Sequence, residues 1–251
     1  MILFVCLTLC LSCAKECEPN KAISFGRYSL VNNMWGRYRV EEGKTYDQCV
    51  YTTNGDYPIG WYWVCDSGSS TVKGFPQILY GQNPFSLIQT TEELPINLAL
   101  VKNLYVTTLV DLKGLGNYNL SFDLWISSTD KLVGSGSLTH EIMVWLYQTM
   151  PLDTSGYVGD FTIDSHIYSL YRKPKTENGR WFIMFVAKDL KFYPETIDLN
   201  LASFLNLLYD MKFLNDRLYL DCVELGTEMW GGSGSCKIYK YEIKLDKAVV
   251  L

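Results

Sequence analysis

The sequence predicts an all-β protein, a jelly-roll sandwich of two antiparallel sheets with one packed α-helix. Three observations point there. Tyr118–Ile126 alternates cleanly, with Tyr118, Leu120, Phe122, Leu124 and Ile126 on one face and Asn119, Ser121, Asp123 and Trp125 on the other. His140–Tyr147 repeats the pattern, with Ile142, Val144 and Leu146 opposed by Glu141, Met143, Trp145 and Tyr147. Strand signals then recur along the chain without the helices that would separate them in a parallel α/β fold.

Further strands are expected at Tyr28–Trp35, Gly60–Cys65, Val101–Leu112, His166–Arg172, Trp181–Lys188, Arg217–Leu225 and Lys237–Leu245. Turns at Asn54-Gly55, Asn178-Gly179 and Gly231-Gly232 punctuate them. The helix is expected within Asp198–Leu214, where Leu201, Phe204, Leu205, Leu208 and Met211 recur at helical spacing.

In such a sandwich the apolar face of each strand meets the other sheet. A second face carrying Glu141, Met143, Trp145 and Tyr147 is poorly matched to open water and well matched to a groove. Glu228 stands in a comparable setting, Gly226-Thr227-Glu228-Met229-Trp230-Gly231-Gly232. Two opposed carboxylates with aromatic platforms are the working parts of a glycosidase. A chain with 18 Tyr, 11 Phe and 7 Trp has rings enough to stack sugars as well as to fill a β core.

Composition narrows the alternatives. A net charge of −5 with no long basic run argues against nucleic acid and anionic membrane as partners. Only two histidines are present, His140 and His166, which disfavours a Ser-His-Asp triad or a histidine-rich metal site; both are expected to be structural. No CxxC pair, HExxH or phosphate-cradling loop occurs, so no metal or cofactor is expected.

Met1–Cys13 is almost wholly apolar and too short to span a bilayer. It reads as the core of an export signal, giving a leader over 1–16 and one catalytic domain over 17–251. The product is expected to be secreted and monomeric; Cys13 is only a loose match to a lipid-attachment cysteine. Export permits disulfides among Cys17, Cys49, Cys65, Cys222 and Cys236. Cys222 and Cys236 flank the Glu228 segment, and a bridge across it and two buried thiols are equally compatible with that spacing. Asn119-Leu120-Ser121 is a glycosylation sequon, relevant in a eukaryotic host.

These motifs, taken in order, resemble glycoside hydrolase family 12, the small concave jelly-roll endo-β-1,4-glucanases and xyloglucanases. The likeness runs through Tyr28-Ser29-Leu30-Val31-Asn32-Asn33-Met34-Trp35-Gly36, Trp61-Tyr62-Trp63, Lys73-Gly74-Phe75-Pro76, Tyr80-Gly81, Phe122-Asp123-Leu124-Trp125, Glu141-Ile142-Met143-Val144-Trp145-Leu146 and Gly226-Thr227-Glu228. The resemblance implies Glu141 as nucleophile, Glu228 as acid/base and Asp123 as the aspartate that orients Glu141. It implies a Cys17–Cys49 disulfide, and Asn33 and Trp35 on the glycone side of the substrate. Met143 and Trp145 would shape the floor beside the nucleophile. Trp61, Trp63 and Trp230 are candidate stacking platforms, although Trp61 and Trp63 share a strand face that serves equally well as core. The chain departs from the family at Met229-Trp230, where Pro-Phe is common, and at His140, where Tyr is common. Loss of the proline frees φ after Glu228.

The expected activity is retaining endo-hydrolysis of a β-1,4-glucan polysaccharide or oligosaccharide. The competing readings are a non-catalytic sugar-binding jelly roll, which needs the aromatics but not two acids, and a jelly-roll xylanase or xyloglucanase. Choice among linear, mixed-linkage and branched glucans is expected to lie in the loops around Trp61–Ser69 and Met150–Asp160.

Overall fold

The computed structural model describes residues 13–53, 55–66, 68, 71–131, 134–175, 179–189 and 195–248. Residues 1–12 of the expected leader lie outside them. The order of elements is β1 (Cys13–Glu16), β2 (Ala22–Phe25), β3 (Tyr28–Val31), β4 (Tyr46–Thr53), β5 (Asp56–Cys65), β6 (Gln77–Gly81), β7 (Ile96–Asn97), β8 (Val101–Ser127), β9 (Leu138–Gln148), β10 (Tyr157–Ile163), β11 (His166–Lys175), β12 (Arg180–Ala187), β13 (Glu195–Asn200), α1 (Leu201–Asp210), β14 (Tyr219–Gly226) and β15 (Met229–Lys247).

The chain forms the expected sandwich. One sheet runs β1-β4-β5-β15-β8-β13, the other β2-β3-β6-β14-β8-β9-β12-β11-β10, with β7 paired to the start of β14. The two sheets share β8. Its first part pairs with β15 as far as Tyr118, and its second part pairs with β9 and β14 from Asn119 onward. The two strands expected at Val101–Leu112 and Tyr118–Ile126 are therefore one. Gly116 (φ +93°) lies just before the change of sheet, where an added Cβ would stand 2.6 Å from the Gly231 carbonyl.

Three other expectations change in detail. Gly231-Gly232 is not a turn but the beginning of β15. Gly232 (φ +95°) lies against the Leu115 carbonyl, so the glycines serve close strand approach and a register shift. The sheets are not wholly antiparallel. β9 and β12 run parallel, because the β10–β11 hairpin intervenes between them and returns the chain in the same sense. The helix begins at Leu201, since Asp198–Asn200 completes β13; the Asn200 side chain caps α1 by accepting from Ala202 N.

The core lies between the sheets. Leu30, Ile78, Tyr80, Phe122, Leu124, Ile142, Val144 and Phe185 from one sheet meet Trp61, Trp63, Val106, Val110, Ile238 and Ile243 from the other. α1 closes one side, where Phe204 packs edge-on against Tyr168 and Phe185 at 4.9 and 5.0 Å. Cys17 and Cys49 are bonded, fastening the segment after β1 to β4. Cys222 and Cys236 are both free and buried. Cys222 packs with Val31, Leu79 and Trp125, whereas Cys236 belongs to the inter-sheet core, because β14 and β15 part into different sheets beyond Gly226. No helix among the described residues is long and apolar enough to cross a membrane.

Candidate active site

The face of the second sheet turned away from the core holds the expected acids. Side chains opposed across adjacent strands share a face, so three rows can be read from the register. Cys222, Trp125, Glu141 and Phe182 form one; Glu224, Asp123, Met143 and Met184 the next; Gly226, Ser121, Trp145 and Val186 the third. A flat solvated face would expose these groups. Instead Glu141 is 8% exposed, Asp123 4% and Glu224 2%. Phe75, Met143, Trp145, Tyr171, Met184 and Val186 form an apolar cluster on this side, with Phe182 and Trp230 against it. The acids therefore lie in the floor of a recess.

Tyr147 departs from the expected alternation. A bulge at Leu146 sets Tyr147 opposite Leu120 and Trp145 opposite Ser121. Tyr147 consequently packs with the core residues and lies 6.0 Å from the Tyr118 ring.

Glu228 occupies the two-residue link from β14 to β15, where the chain passes between sheets beside the similar passage of β8. Asn119 grips it there. Asn119 Nδ2 donates to Glu228 Oε2 at 2.7 Å, Glu228 N donates to Asn119 Oδ1 at 2.8 Å, and Asn119 N donates to Glu228 O at 3.0 Å. Thr227 is fixed as well, since its N donates to Pro76 O and its Oγ1 accepts from Trp61 Nε1 at 3.0 Å. Met229 stands where proline is common in the family resembled. Its N–H donates to Gly74 O at 3.3 Å, a bond proline could not make, and its side chain is fully buried. Hydrogen bonding thus restrains the backbone where a ring would otherwise do so.

Trp230 follows on the outer face, its ring 6.0 Å from Trp145 in edge-to-face contact, and Trp145 Nε1 donates to Met143 Sδ at 3.5 Å. One continuous floor, Met143–Trp145–Trp230, joins the strand of Glu141 to the segment of Glu228. Asn33 and Trp35 lie beyond β6 on the other flank. Asn33 Nδ2 donates to Gln77 Oε1 at 3.2 Å, and Gln77 pairs with Gly226. Trp35 is 45% exposed, with the Arg39 guanidinium 4.5 Å from its ring.

Two expected platforms are elsewhere. Trp61 and Trp63 are buried at 0% and 1% exposure in the inter-sheet core, Trp63 against Tyr118 at 5.2 Å. β5 turns Ile59, Trp61, Trp63 and Cys65 inward, so neither indole can reach a ligand on the outer face. His140 is buried beside Thr139, its ring bonded to the Phe213 carbonyl; burial holds its pKa down at about 4. Among the described residues, no group of three or more His, Cys, Asp or Glu side chains is arranged to hold a metal ion.

The family model of glycosyl hydrolase family 12 matches residues 26–246, which takes in every residue of this recess. The chain belongs to that family. Endoglucanase S of Pectobacterium parmentieri is 27% identical over 94% of this chain and 89% of its own length. Xyloglucan-specific endo-beta-1,4-glucanase A of Aspergillus aculeatus is 28% identical over 88% of this chain and 87% of its own. The native family 12 xyloglucanase from Bacillus licheniformis superposes with a TM-score of 0.81 at 27% identity, covering 92% of this chain and all of that one.

The recess of this family 12 hydrolase also holds groups that sequence reasoning passed over. Asn119 is legible in the sequence as an outward position of an alternating strand and as a sequon asparagine, but not as the partner of Glu228. Glu224 looked like an ordinary strand residue, yet it sits opposite Asp123 and is held by Asn83 and Trp125. Arg180, nearly buried, places its guanidinium 5.5 Å from the Trp125 ring and 5.7 Å from Phe85. Its charge acts on Asp123. The signal for all three is a polar group on the outward face of a central strand.

Proposed function

We propose that this family 12 glycosyl hydrolase is a secreted, monomeric endo-β-1,4-glucanase that cleaves with retention of configuration. Glu141, ionised, attacks the anomeric carbon and forms a glycosyl-enzyme. Glu228, protonated, donates to the departing oxygen and then takes a proton from the incoming water. Asp123 orients Glu141 from the neighbouring strand. Met143, Trp145 and Trp230 give sugar rings an apolar floor, and Asn33 and Trp35 hold the glycone side. The chemistry needs neither metal nor organic cofactor. Export is supported by the apolar start of the chain and by the Cys17–Cys49 bond.

The observation that carries the reading is the hold on Glu228. An acid gripped by Asn119 on side chain and backbone, at the end of a floor that begins beside Glu141, is built to deliver a proton along one direction. A sugar-binding module has no use for that investment. Branched xyloglucan is the second substrate, favoured by the names of the Aspergillus and Bacillus relatives.

The test is hydrolysis of defined linear and xylose-branched β-1,4-gluco-oligosaccharides, with product anomers followed by NMR. Retained configuration is expected, with loss of about 10³-fold or more in kcat for Glu141→Gln and for Glu228→Gln on unactivated substrates. Inverted product, or full activity in either variant, sinks the reading.

A further inference from the structure

Besides Glu141 and Asp123, the outer face carries a third buried carboxylate. Glu224 lies directly across from Asp123 on the adjoining strand, at a position where opposed Cβ atoms stand about 5 Å apart. Asn83 Nδ2 donates to Glu224 Oε1 at 2.7 Å, and Trp125 Nε1 donates to Glu224 Oε2 at 3.4 Å. Trp125 is itself the residue opposed to Glu141. Glu224 therefore touches the nucleophile's surroundings on two sides, through the indole next to Glu141 and through the carboxylate expected to orient it.

We propose that Glu224 is a positioning residue for the nucleophile: uncharged, it steadies the Trp125 indole and Asp123 in their working pose, and on ionising it sets a like charge against Asp123 and loosens that pose. The proposal rests on the reading of Glu141 as nucleophile. Like charges directly opposed on adjacent strands repel, and strongly so out of contact with water.

The surroundings set when this happens. Burial pushes Glu224 up to about 7, against hydrogen bonds from Asn83 and Trp125 that favour its charged form. Asp123 faces it from β8, and Glu141 stands on the next strand beyond. Cys222 lies on the same face of β14, its thiol raised by burial and by the neighbouring carboxylates. Asp221, three residues before Glu224, is itself raised to about 7 by burial and bonded to Ser127 Oγ at 2.7 Å. The Tyr241 phenol on β15 is fully buried and uncharged. Arg180 is a cation beside this group, and its charge acts on Asp123. A carboxyl that changes charge near neutrality beside Asp123 and Glu141 would set an upper limb to the pH range of activity.

The experiment is the pH dependence of kcat/KM on a soluble β-1,4-gluco-oligosaccharide for the parent and Glu224→Gln, with Glu141→Gln and Glu228→Gln alongside. The amide mimics the protonated carboxyl. Glu224→Gln is expected to stay within about threefold of the parent near pH 5 and to carry its alkaline limb roughly half a pH unit or more higher. A limb that superimposes or moves lower, or a uniform loss at every pH, overturns the proposal. Full activity in Glu141→Gln overturns the mechanism instead, so the two failures are distinguishable. Should Glu224→Gln not fold, glutamate-labelled Glu228→Gln provides a second measurement by carbon NMR. One glutamate carboxyl titrating near neutrality is expected there, and its absence overturns the proposal.

Discussion

Asn119 and Glu228 clasp one another through three hydrogen bonds at the point where two strands pass side by side from one sheet to the other. The clasp fixes both the backbone and one carboxyl oxygen of the proposed acid. Asn119→Ala is expected to lower kcat on unactivated glucan by about 10²-fold, the lower end of what general acid catalysis supplies. Aryl cellobiosides with good leaving groups, which need little proton donation, should lose much less. Steady-state kinetics on the two substrate classes check this; equal losses on both would assign Asn119 a structural role only.

Trp61 offers a second test, because its indole supports Thr227 from inside the core rather than touching sugar. Trp61→Phe leaves the buried Thr227 hydroxyl without that donor. A stability loss of about 1–2 kcal/mol in urea unfolding is expected, with KM for glucan unchanged. A raised KM with unaltered stability would restore the stacking role.

His140 predicts a pH effect whose sign follows from its burial. Its pKa is near 4 in the folded protein against 6.5 as a free side chain. Between those values the unfolded chain binds a proton that the native state refuses, so this residue's contribution to stability falls as pH drops from about 6.5 to 4, by at most about 1.4 kcal/mol per unit. Asp221 and Glu224, both raised to about 7, act in the opposite sense across an overlapping range. The comparison that isolates the histidine is therefore parent against His140→Gln. The parent's stability relative to the variant should decline between pH 7 and 4; a constant difference would contradict the buried neutral ring.

The Cys17–Cys49 bond closes a loop of 32 residues. In the loop-entropy account its reduction lowers stability by about 3–4 kcal/mol. Melting temperature with and without reductant measures the effect, while kcat well below the transition should not change, since neither sulfur lies on the outer face of the second sheet.

How far the sequence could be read depended on how local each cause was. Glu141, Met143 and Trp145 were legible because strand alternation alone decides their face. Tyr147, in the same run, was misjudged because a single-residue bulge reverses the parity and leaves no mark in composition. Trp61-Tyr62-Trp63 carries aromatics on both faces, so pattern could not say which side was core; pairing with β4 and β15 decides it. Asn119 and Glu228 are far apart in sequence and meet only because both strands change sheet at one place. Glu224 was hidden for a related reason, since its partners Asn83 and Asp123 come from distant segments. The strand-by-strand pattern supplied the sandwich, whereas the hydrogen-bonded supports of the acids arise from tertiary contacts.

The commitment of the Asn119 side chain bears on how the protein can be made. Asn119-Leu120-Ser121 is an acceptor for N-linked glycan, yet its amide nitrogen is fully buried and donates to Glu228. Oligosaccharide transfer in eukaryotic cells acts on the nascent chain before burial. A glycan placed there would occupy the very nitrogen that grips the acid and has no room at that buried position. Expression in such a host therefore sets chain folding against sugar attachment in a direct race, and bacterial production or Ser121→Ala removes the contest.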